Sequence, residues 1–355
     1  MCLGPAPATR DVCPPRDFEG LSDTLYAGQA DGTFDDVSAA FAITPDGKGL
    51  GVIVADLDND RDLDIYVTND TVPNVLYRND AGKSLVDWSL ASGASLSSQG
   101  VPEGSMGVQL LDYNQDGVFD IWVANYERET NALYEGQGNL LFRHVSQRAG
   151  ISSVASNSVG WGTLCFDADH DGDEDVFIAN GHVIRYPRSA PLSQWPLLLE
   201  NQTGQRFRNV ASEAGDYMTS PHMARGCAAS DFDNDGDLDM AVMHTNEPLS
   251  VLRNTETHGG FLSVELIGLV SSRDAVGAIV EVVTAERRMV RQWIGGGSYA
   301  STNGRRLHFG IGVAKSIEQL TISWPSGNVQ TFRDVLPNRH LAVVETRTLL
   351  AVDAP

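Results

Sequence analysis

A nine-residue acidic pattern recurs four times in this chain of 355 residues and constrains its fold more than any other feature. The pattern starts at Asp56, Asp112, Asp167 and Asp231, so successive copies lie 56, 55 and 64 residues apart. A glycine stands five positions before each start, and a short run rich in β-branched and aromatic residues follows each copy. Such runs predict strands. Repetition of this kind predicts an architecture of repeated units.

The repeated units cover residues 49–88, 105–145, 160–210 and 224–254. Each contains about four short apolar runs and no helical periodicity, which is typical of a β-propeller blade. The glycine near the start of each unit suits an innermost strand, where backbones crowd around an axis. A β-sandwich of many hairpins is the alternative. We favour the propeller because a sandwich does not impose one repeated register.

The two ends of the repeat region differ from its middle. Residues 24–41 match the third and fourth strands of a unit without an acidic loop, after a leader (1–23) that is expected to be poorly ordered. The last unit lacks a Phe-x-x-Val strand. Either residues 34–37 complete that unit and close a four-bladed ring, or the chain is the C-terminal arc of a larger propeller. We favour the arc, because the small ring leaves the strand at 25–26 without a blade.

A different all-β pattern follows a linker at 255–260. Seven strand-like runs within residues 261–346 predict a small sandwich or barrel, and residues 347–355 form a tail. The predicted fold class is therefore all-β, with propeller blades followed by this second domain.

The acidic pattern itself predicts calcium sites. Positions 1, 3, 5 and 9 are carboxylates or an amide in every copy. Ca²⁺ takes six to eight oxygen ligands at about 2.3–2.6 Å, and this spacing on a tight loop directs the side chains to one point, with a carbonyl near position 7 adding another ligand. We expect about three to four ions. The predicted ligands are Asp56, Asp58, Asp60, Asp64, Asp112, Asn114, Asp116, Asp120, Asp167, Asp169, Asp171, Asp175, Asp231, Asp233, Asp235 and Asp239.

Different kinds of loop and different ions fit this pattern less well. An EF-hand needs a bidentate glutamate at position 12 that opens a helix, whereas position 12 here is Val67, Val123, Ile178 or Val242. Mg²⁺ keeps more water, and Zn²⁺ calls for His or Cys. Asp, Asn and Gly also favour turns, but carboxylates packed this closely repel one another without a cation. Arg61 replaces the glycine of position 6, so we expect the lowest occupancy in the first loop.

Charge and cysteine usage narrow the partners. Lys and Arg number 25 against 47 Asp and Glu, a net charge of −22, which disfavours nucleic acids and anionic lipid. No membrane span is predicted, and residues 1–10 lack the apolar core of an export signal. Cys2 and Cys13 either pair in an oxidising compartment or remain free thiols in a disordered leader. Cys165 and Cys227 lie in apolar runs and are predicted to be buried thiols.

The acidic loops resemble the calcium loops of FG-GAP/VCBS repeats, as in integrin-like propellers. The C-terminal part is similar to the ASPIC/UnbV domain. The second resemblance rests on residues 273–278 (Arg-Asp-Ala-Val-Gly-Ala), 295–299 (Gly-Gly-Gly-Ser-Tyr), 307–312 (Leu-His-Phe-Gly-Ile-Gly) and 324–327 (Trp-Pro-Ser-Gly). The resemblance implies a secreted or surface-exposed, calcium-stabilised propeller, with seven blades when complete, that mediates binding. The chain then lacks upstream blades, so we expect it to join such blades or to self-associate through its exposed edges.

Catalytic motifs are weak in this sequence. It has no His-Glu-x-x-His and no Gly-x-Ser-x-Gly, and residues 295–298 lack the lysine of a phosphate loop, so we interpret them as a turn. Asn69, Asn125, Asn180 and His244 share one register and either line a ligand-binding face or form turns. We predict a binding module for a protein or glycan rather than an enzyme. A carbohydrate-processing or other enzyme that uses the propeller axis and a structural spacer are the alternatives.

Overall fold

The computed structural model describes residues 2–4, 9–43, 46–154, 157–255, 259–347 and 350–352. The predicted linker, tail and leader therefore lie in part outside the described residues. Strands dominate these residues, and the helices among them are short: one α-helix, α1 (Ser89–Ser92), and 3₁₀ turns at Pro15–Asp17, Ile151–Ser153, Ala211–Glu213 and Asp216–Thr219. The predicted all-β class is confirmed. None of the helices in the described part of the chain has the length and apolar character needed to cross a membrane.

The N-terminal segment is held in place by a disulfide bond between Cys2 and Cys13. Strands β1 (Cys2–Leu3) and β2 (Arg10–Asp11) pair with each other. Asp11 is buried and accepts a hydrogen bond from the backbone N–H of Arg185, which ties the segment to the third repeat unit. Of the two alternatives for these cysteines, the structure shows the paired one. Cys165 and Cys227 remain free thiols.

A short hairpin precedes the repeats. Strand β3 (Tyr26–Gly28) pairs with β4 (Phe34–Asp36), and within the described residues these strands form no sheet with any other strand. The closed four-bladed ring required β4 to complete the last unit, and the structure does not show that pairing. Leu25 and Phe41, on either side of the hairpin, pack against the outer face of the first unit.

The repeat units form antiparallel sheets in chain order, as the register predicts. Each predicted unit contributes four consecutive strands, except that the last has three among the described residues. The strands are β5 (Gly49–Ala55), β6 (Asp64–Asn69), β7 (Val75–Asn79), β8 (Leu85–Asp87), β9 (Ser105–Leu111), β10 (Asp120–Asn125), β11 (Ala132–Gly136), β12 (Phe142–His144), β13 (Gly160–Phe166), β14 (Asp175–Asn180), β15 (Leu197–Gln202), β16 (Arg206–Asn209), β17 (Ala224–Ser230), β18 (Asp239–His244) and β19 (Ser250–Leu252). These sheets are of the kind found in propeller blades.

The first strands of successive units lie against one another, β5 on β9, β9 on β13 and β13 on β17. The repeated glycine makes this approach possible. A Cβ atom at Gly51, Gly107 or Gly162 would collide with a carbonyl oxygen of the next first strand. The predicted reason for the glycine, crowding of innermost backbones, is therefore what the structure shows. Apolar side chains from neighbouring sheets then form shared cores between units.

The C-terminal part is a β-sandwich. Its strands are β20 (Gly260–Ile267), β21 (Ile279–Val283), β22 (Arg288–Gln292), β23 (Gly295–Gly296), β24 (Arg306–Gly312), β25 (Ile317–Ser323), β26 (Val329–Val335), β27 (Arg339–Val344) and β28 (Leu350–Val352). One sheet has the order β24-β20-β27-β28 and the other β22-β21-β25-β26. Alternate residues of both sheets, such as Val264 and Val280, form one buried core, as expected for face-to-face packing.

One segment of the sandwich, residues 295–304, leaves its own sheets and enters the centre of the repeats. We call it the central loop. Gly295 and Gly296 form β23, which pairs with β5, and Ser298 forms a bridge with Val108 of β9. The Ser298 hydroxyl accepts a hydrogen bond from the Thr163 N–H of β13 and donates one to a carbonyl of β17. The central loop therefore contacts the first strand of all four units, where the sequence predicted only a turn.

Candidate metal centres in the acidic loops

The four acidic loops share one backbone conformation. Position 4 is left-handed in all of them, with φ between 56° and 64°, and so is position 6. Position 6 is glycine in three loops, where φ is 82–100°, and Arg61 adopts φ 77° in the first. A left-handed arginine costs about 1 kcal/mol relative to glycine. The first loop thus keeps the geometry of the others despite its different residue.

The carboxylate at position 1 closes each loop. In the first two loops both of its oxygens accept backbone N–H groups from positions 5 and 6, as Asp56 and Asp112 do. Asp167 and Asp231 use only Oδ2 in this way, and Oδ1 of each is buried with no hydrogen-bond partner among the described residues. An unpartnered carboxylate oxygen in a buried site costs free energy unless a cation faces it.

The carboxylate at position 9 joins the loop to the third strand of its unit. One oxygen accepts the N–H of position 2 and the other accepts an N–H near the end of the third strand, as Asp64 does with Leu57 and Asn79. The equivalent pair of bonds recurs at Asp120, Asp175 and Asp239. Position 9 therefore has a structural role whether or not an ion is bound. It can still bind an ion, because each carboxylate oxygen retains a second lone pair.

Three of the four loops bring their carboxylates together around one point. Oxygens of positions 1, 3 and 9 lie within 4.8 Å of one another in three sets, which are Asp56 with Asp58 and Asp64, Asp167 with Asp169 and Asp175, and Asp231 with Asp233 and Asp239. The second loop carries Asn114 at position 3, whose amide donates to Asp116. The position 5 carboxylates lie outside these sets, and each accepts the N–H of position 7. Several aspartate triads can therefore hold a metal ion.

Burial raises the pKa of most of these carboxyl groups, because the charged form loses its water. The pKa of Asp56 rises to about 6, those of Asp64 and Asp112 to about 7, and that of Asp120 to about 9. Repulsion from neighbouring carboxylates adds to the effect in each case. These directions describe loops without a cation. A bound divalent ion favours the ionised form and reverses the shift.

The C-terminal sandwich packs directly on the ends of the units that carry the acidic loops, which we call the loop face. The Gly310 N–H of β24 donates to Asp167 Oδ2 at 3.0 Å. His308 approaches the Gly236 carbonyl through Nε2 at 2.6 Å, and Gln292 bonds both backbone groups of Asp56. Three of the four loops therefore contact the second domain through these bonds.

Basic side chains of the sandwich contribute to the same interface. Arg287 Nη1 lies 3.5 Å from Asp173, and Arg291 Nε lies 3.5 Å from Glu174, which is itself buried. Sequence reasoning missed this docking. The concentration of arginines at 287–291, in a chain with so few basic residues, was the signal that could have indicated it.

On the far face, where the second strands of the units end, each unit has a polar residue at the same position. The amide groups of Asn69, Asn125 and Asn180 are buried and donate to backbone carbonyls four, five and fifteen residues ahead. The three asparagines are therefore buried and bond the segment that follows each second strand, as a turn at Asn69 and Asn125 and across a longer loop at Asn180, and they do not line a surface. His244 occupies the same position in the last unit and bonds the Pro248 carbonyl.

Comparison with known proteins agrees with both resemblances seen in the sequence. Profiles for the FG-GAP-like repeat match residues 19–67, 57–123 and 112–178, so the unit that starts at Asp231 lies outside the matched ranges. The ASPIC and UnbV profile matches residues 268–349.

Three curated relatives are similar over most of this chain. Cartilage acidic protein 1 of Mus musculus is 28% identical over 306 residues, which cover 83% of this chain and 44% of the relative. The Homo sapiens protein is 27% identical over 322 residues (87% and 46%), and the Xenopus tropicalis protein is 26% identical over 302 residues (83% and 44%). The chain spans less than half the length of the curated relatives it matches.

A solved structure of an Agrocybe aegerita lectin that recognises non-reducing terminal N-acetylglucosamine has a TM-score of 0.32 to this chain. Its sequence is 15% identical, and the match covers 59% of this chain and 54% of the lectin. This likeness is too low to carry an argument about fold or ligand. The matched profiles and the curated relatives show that the chain contains FG-GAP-like repeats and an ASPIC and UnbV domain, with distant similarity to cartilage acidic protein 1.

Proposed function

We propose that this chain is a calcium-binding, extracellular-type propeller module that binds a protein or a carbohydrate. The observation that carries the calcium part is the set of aspartate triads, in which Asp167 and Asp231 each keep one buried oxygen without a hydrogen-bond partner among the described residues. All the ligand atoms that the triads offer to a metal are oxygens, and a loop carbonyl can supplement them. Such a ligand set suits Ca²⁺ better than Zn²⁺. In this proposal the sheets are blades of the C-terminal arc of a larger, seven-bladed propeller.

The central loop favours a binding module over an enzyme that uses the axis. A propeller enzyme would place its substrate where the first strands converge, and here that space holds residues 295–304 of the chain itself. On the loop face, the sandwich contacts three of the four loops. Among the described residues, the far face includes a polar groove between the first two units.

The groove on the far face is suited to hydrogen-bonded ligands. It is lined by side chains of both charges and by neutral polar groups, including Ser97, Gln99, Glu103, Arg128 and Gln147. We propose it as the contact surface for the protein or glycan ligand. A structural spacer would have no use for such a groove, so ligand binding there separates the two alternatives.

The disulfide bond supports an extracellular or periplasmic location. Cys2 and Cys13 are paired, and disulfides persist in oxidising compartments and are rare in the cytosol. The acidic surface is compatible with Ca²⁺-rich surroundings, since unpaired carboxylates attract divalent cations.

Two measurements test the proposal in sequence. Equilibrium dialysis of the metal-stripped chain should find about three to four Ca²⁺ per chain, and added Ca²⁺ should raise the melting temperature, because ions that bind the native state stabilise it. Identical melting in chelator and in excess Ca²⁺ would remove the metal assignment. Glycan arrays and panels of extracellular proteins, probed in excess Ca²⁺, then test the ligand part. Binding that Arg128→Ala weakens and Arg305→Ala leaves unchanged would place the ligand in the groove.

A further inference from the structure

We propose that His222, His244 and Glu247 form a second kind of metal site, which binds a divalent ion that accepts both nitrogen and oxygen ligands, such as Zn²⁺. The site lies on the far face of the last unit, at the end of β18 opposite to Asp239 and its acidic loop. Ligand atoms of the three side chains lie within 4.8 Å of one another. Two imidazoles and a carboxylate are a common protein ligand set for zinc. The proposal does not depend on calcium binding in the loops.

His244 is oriented as a metal-ligating histidine is. Its Nδ1 lies 2.8 Å from the Pro248 carbonyl, which can only accept, so Nδ1 carries the proton and Nε2 presents a lone pair. A backbone carbonyl bonded to the other ring nitrogen is the usual second partner of a histidine ligand. Asparagine makes the equivalent carbonyl bond at this register in the other three units. What histidine adds at this position is therefore the Nε2 lone pair.

The contact between His222 Nδ1 and Glu247 Oε2 is favourable only when a proton or a metal ion lies between the two atoms. His222 Nε2 lies 3.2 Å from the Tyr217 carbonyl and Nδ1 lies 2.9 Å from Glu247 Oε2. Both partners are acceptors, so a ring with one proton leaves one of these contacts as two acceptors in opposition. A second proton on the ring relieves this, and so does a metal ion at Nδ1. A metal ion satisfies both atoms at once and also uses the nearby lone pair of His244.

The surroundings hold the ligands in place, and an ion would take the position of one existing hydrogen bond. The Tyr217 ring stacks on His222 with centroids 4.2 Å apart, and its hydroxyl lies 2.9 Å from His244 Nε2. Glu247 Oε1 accepts the Met223 N–H, which fixes the carboxylate. The Glu247 side chain is 33% exposed, so an ion can enter from solvent. A zinc ion at about 2.0–2.1 Å from the two nitrogens would displace the Tyr217 hydroxyl from Nε2 and leave a fourth position for it or for water.

The test uses Zn²⁺ as the probe and keeps Ca²⁺ in excess, so that the acidic loops do not compete for it. Isothermal titration of the full chain should show one tight Zn²⁺ equivalent. His244→Asn is the diagnostic variant, because asparagine keeps the carbonyl bond used in the other units and removes the ligand nitrogen, which is also the partner of the Tyr217 hydroxyl. We expect it to weaken Zn²⁺ binding by more than the ~10–100-fold that loss of a hydrogen-bond partner behind a ligand costs. His144→Gln, on another unit, is the matched control and should not change the binding.

A second readout separates metal ligation from a hydrogen-bonded cluster. Co²⁺ in place of Zn²⁺ should give visible absorption of a nitrogen-ligated, low-coordinate ion, and both His244→Asn and Glu247→Gln should abolish it. Equal melting temperatures of wild type and His244→Asn in excess Ca²⁺ without zinc would show that the variant is folded. Zn²⁺ binding that is absent from the wild type, or is unchanged in His244→Asn, would overturn the proposal and leave the cluster as a hydrogen-bonded turn.

Discussion

Replacing Asp167 by asparagine should raise stability in the absence of Ca²⁺ and should remove part of the stability that Ca²⁺ adds. Asp167 is fully buried, its Oδ2 accepts the N–H groups of Gly172 and Gly310, and its Oδ1 has no partner among the residues described. Burial raises its pKa to about 7, although the positive charge of Arg291 acts against the rise. Asparagine keeps the size and one acceptor oxygen, and removes the charge that calcium is proposed to neutralise.

The expected magnitudes follow from these contacts. A rise from an ordinary pKa near 3.9 to about 7 corresponds to roughly 4 kcal/mol of unfavourable free energy for the ionised group. In chelator at about pH 8 the variant should therefore be the more stable protein, by about 1–4 kcal/mol. In Ca²⁺ at about 100 times its Kd the wild type should gain the ~2.7 kcal/mol that one site contributes and the variant should not, so the advantage of the variant should shrink by that amount. For a chain of this size that missing gain corresponds to about 4 °C in melting temperature.

The assay is thermal and urea unfolding of both proteins, each in chelator and in excess Ca²⁺. Asp70→Asn is the matched control, because burial also raises the pKa of Asp70 but this residue lies outside the loops. The control should change stability equally in the two buffers. If Asp167→Asn also changes stability by the same amount and sign in both buffers, then Asp167 does not bind calcium and its unpartnered oxygen is not a metal ligand.

Three further outcomes are expected from other parts of the structure. In metal-free buffer the free energy of unfolding should fall as pH rises from about 5 to about 9. The reason is that the raised pKa values of Asp64 and Asp120, about 7 and 9, make the native state bind more protons than the unfolded state. Urea unfolding across this pH range measures the effect, and excess Ca²⁺ should weaken the pH dependence. Glu345→Gln should cost about 1–3 kcal/mol at neutral pH, because Glu345 accepts three consecutive backbone N–H groups. Despite desolvation, these and other hydrogen bonds lower the pKa of Glu345 to about 2. Its contribution is present above its ordinary pKa and lost as pH falls toward about 2, so the difference in urea stability between wild type and variant should shrink over that range. Ser298→Ala should cost about 1–3 kcal/mol, measured by urea unfolding, because it leaves the buried Thr163 N–H without its acceptor.

The repeated register predicted the local structure well, because each copy supports the others. The run at 176–178 by itself could belong to a helix or a strand, but the same run at the same distance from an acidic loop in four units leaves only the strand. The observed β14 (Asp175–Asn180) contains it. The glycine at each first strand was attributed to crowding, and the structure shows the carbonyl of the next strand at that point.

Contacts between non-repeated parts were not accessible in the same way. The central loop was interpreted as a turn because its glycines are local turn formers, and no pattern in one sequence says that Ser298 reaches Thr163, which is 135 residues away. For the same reason, the sequence did not show that His244 differs in role from the asparagines at the equivalent position of the other units. Which of two roles a polar residue has depends on the neighbours it meets, which for His244 are Tyr217 and His222.

Docking of the sandwich and cation binding in the loops act on the same carboxylates, so each should favour the other. The Gly310 N–H fixes Asp167 Oδ2, Oδ1 stays buried without a partner among the described residues, and Arg287 lies beside Asp173, which is not a member of the triad. A donor that orients a ligand lowers the cost of binding the ion, and by linkage the bound ion strengthens the docked state by the same free energy. With a net charge of −22, the arginines at 287–291 offset only part of the acidity at this interface. If calcium neutralises the remaining charge, as proposed, the ASPIC and UnbV domain would act as part of the metal centres, because its Gly310 N–H orients Asp167.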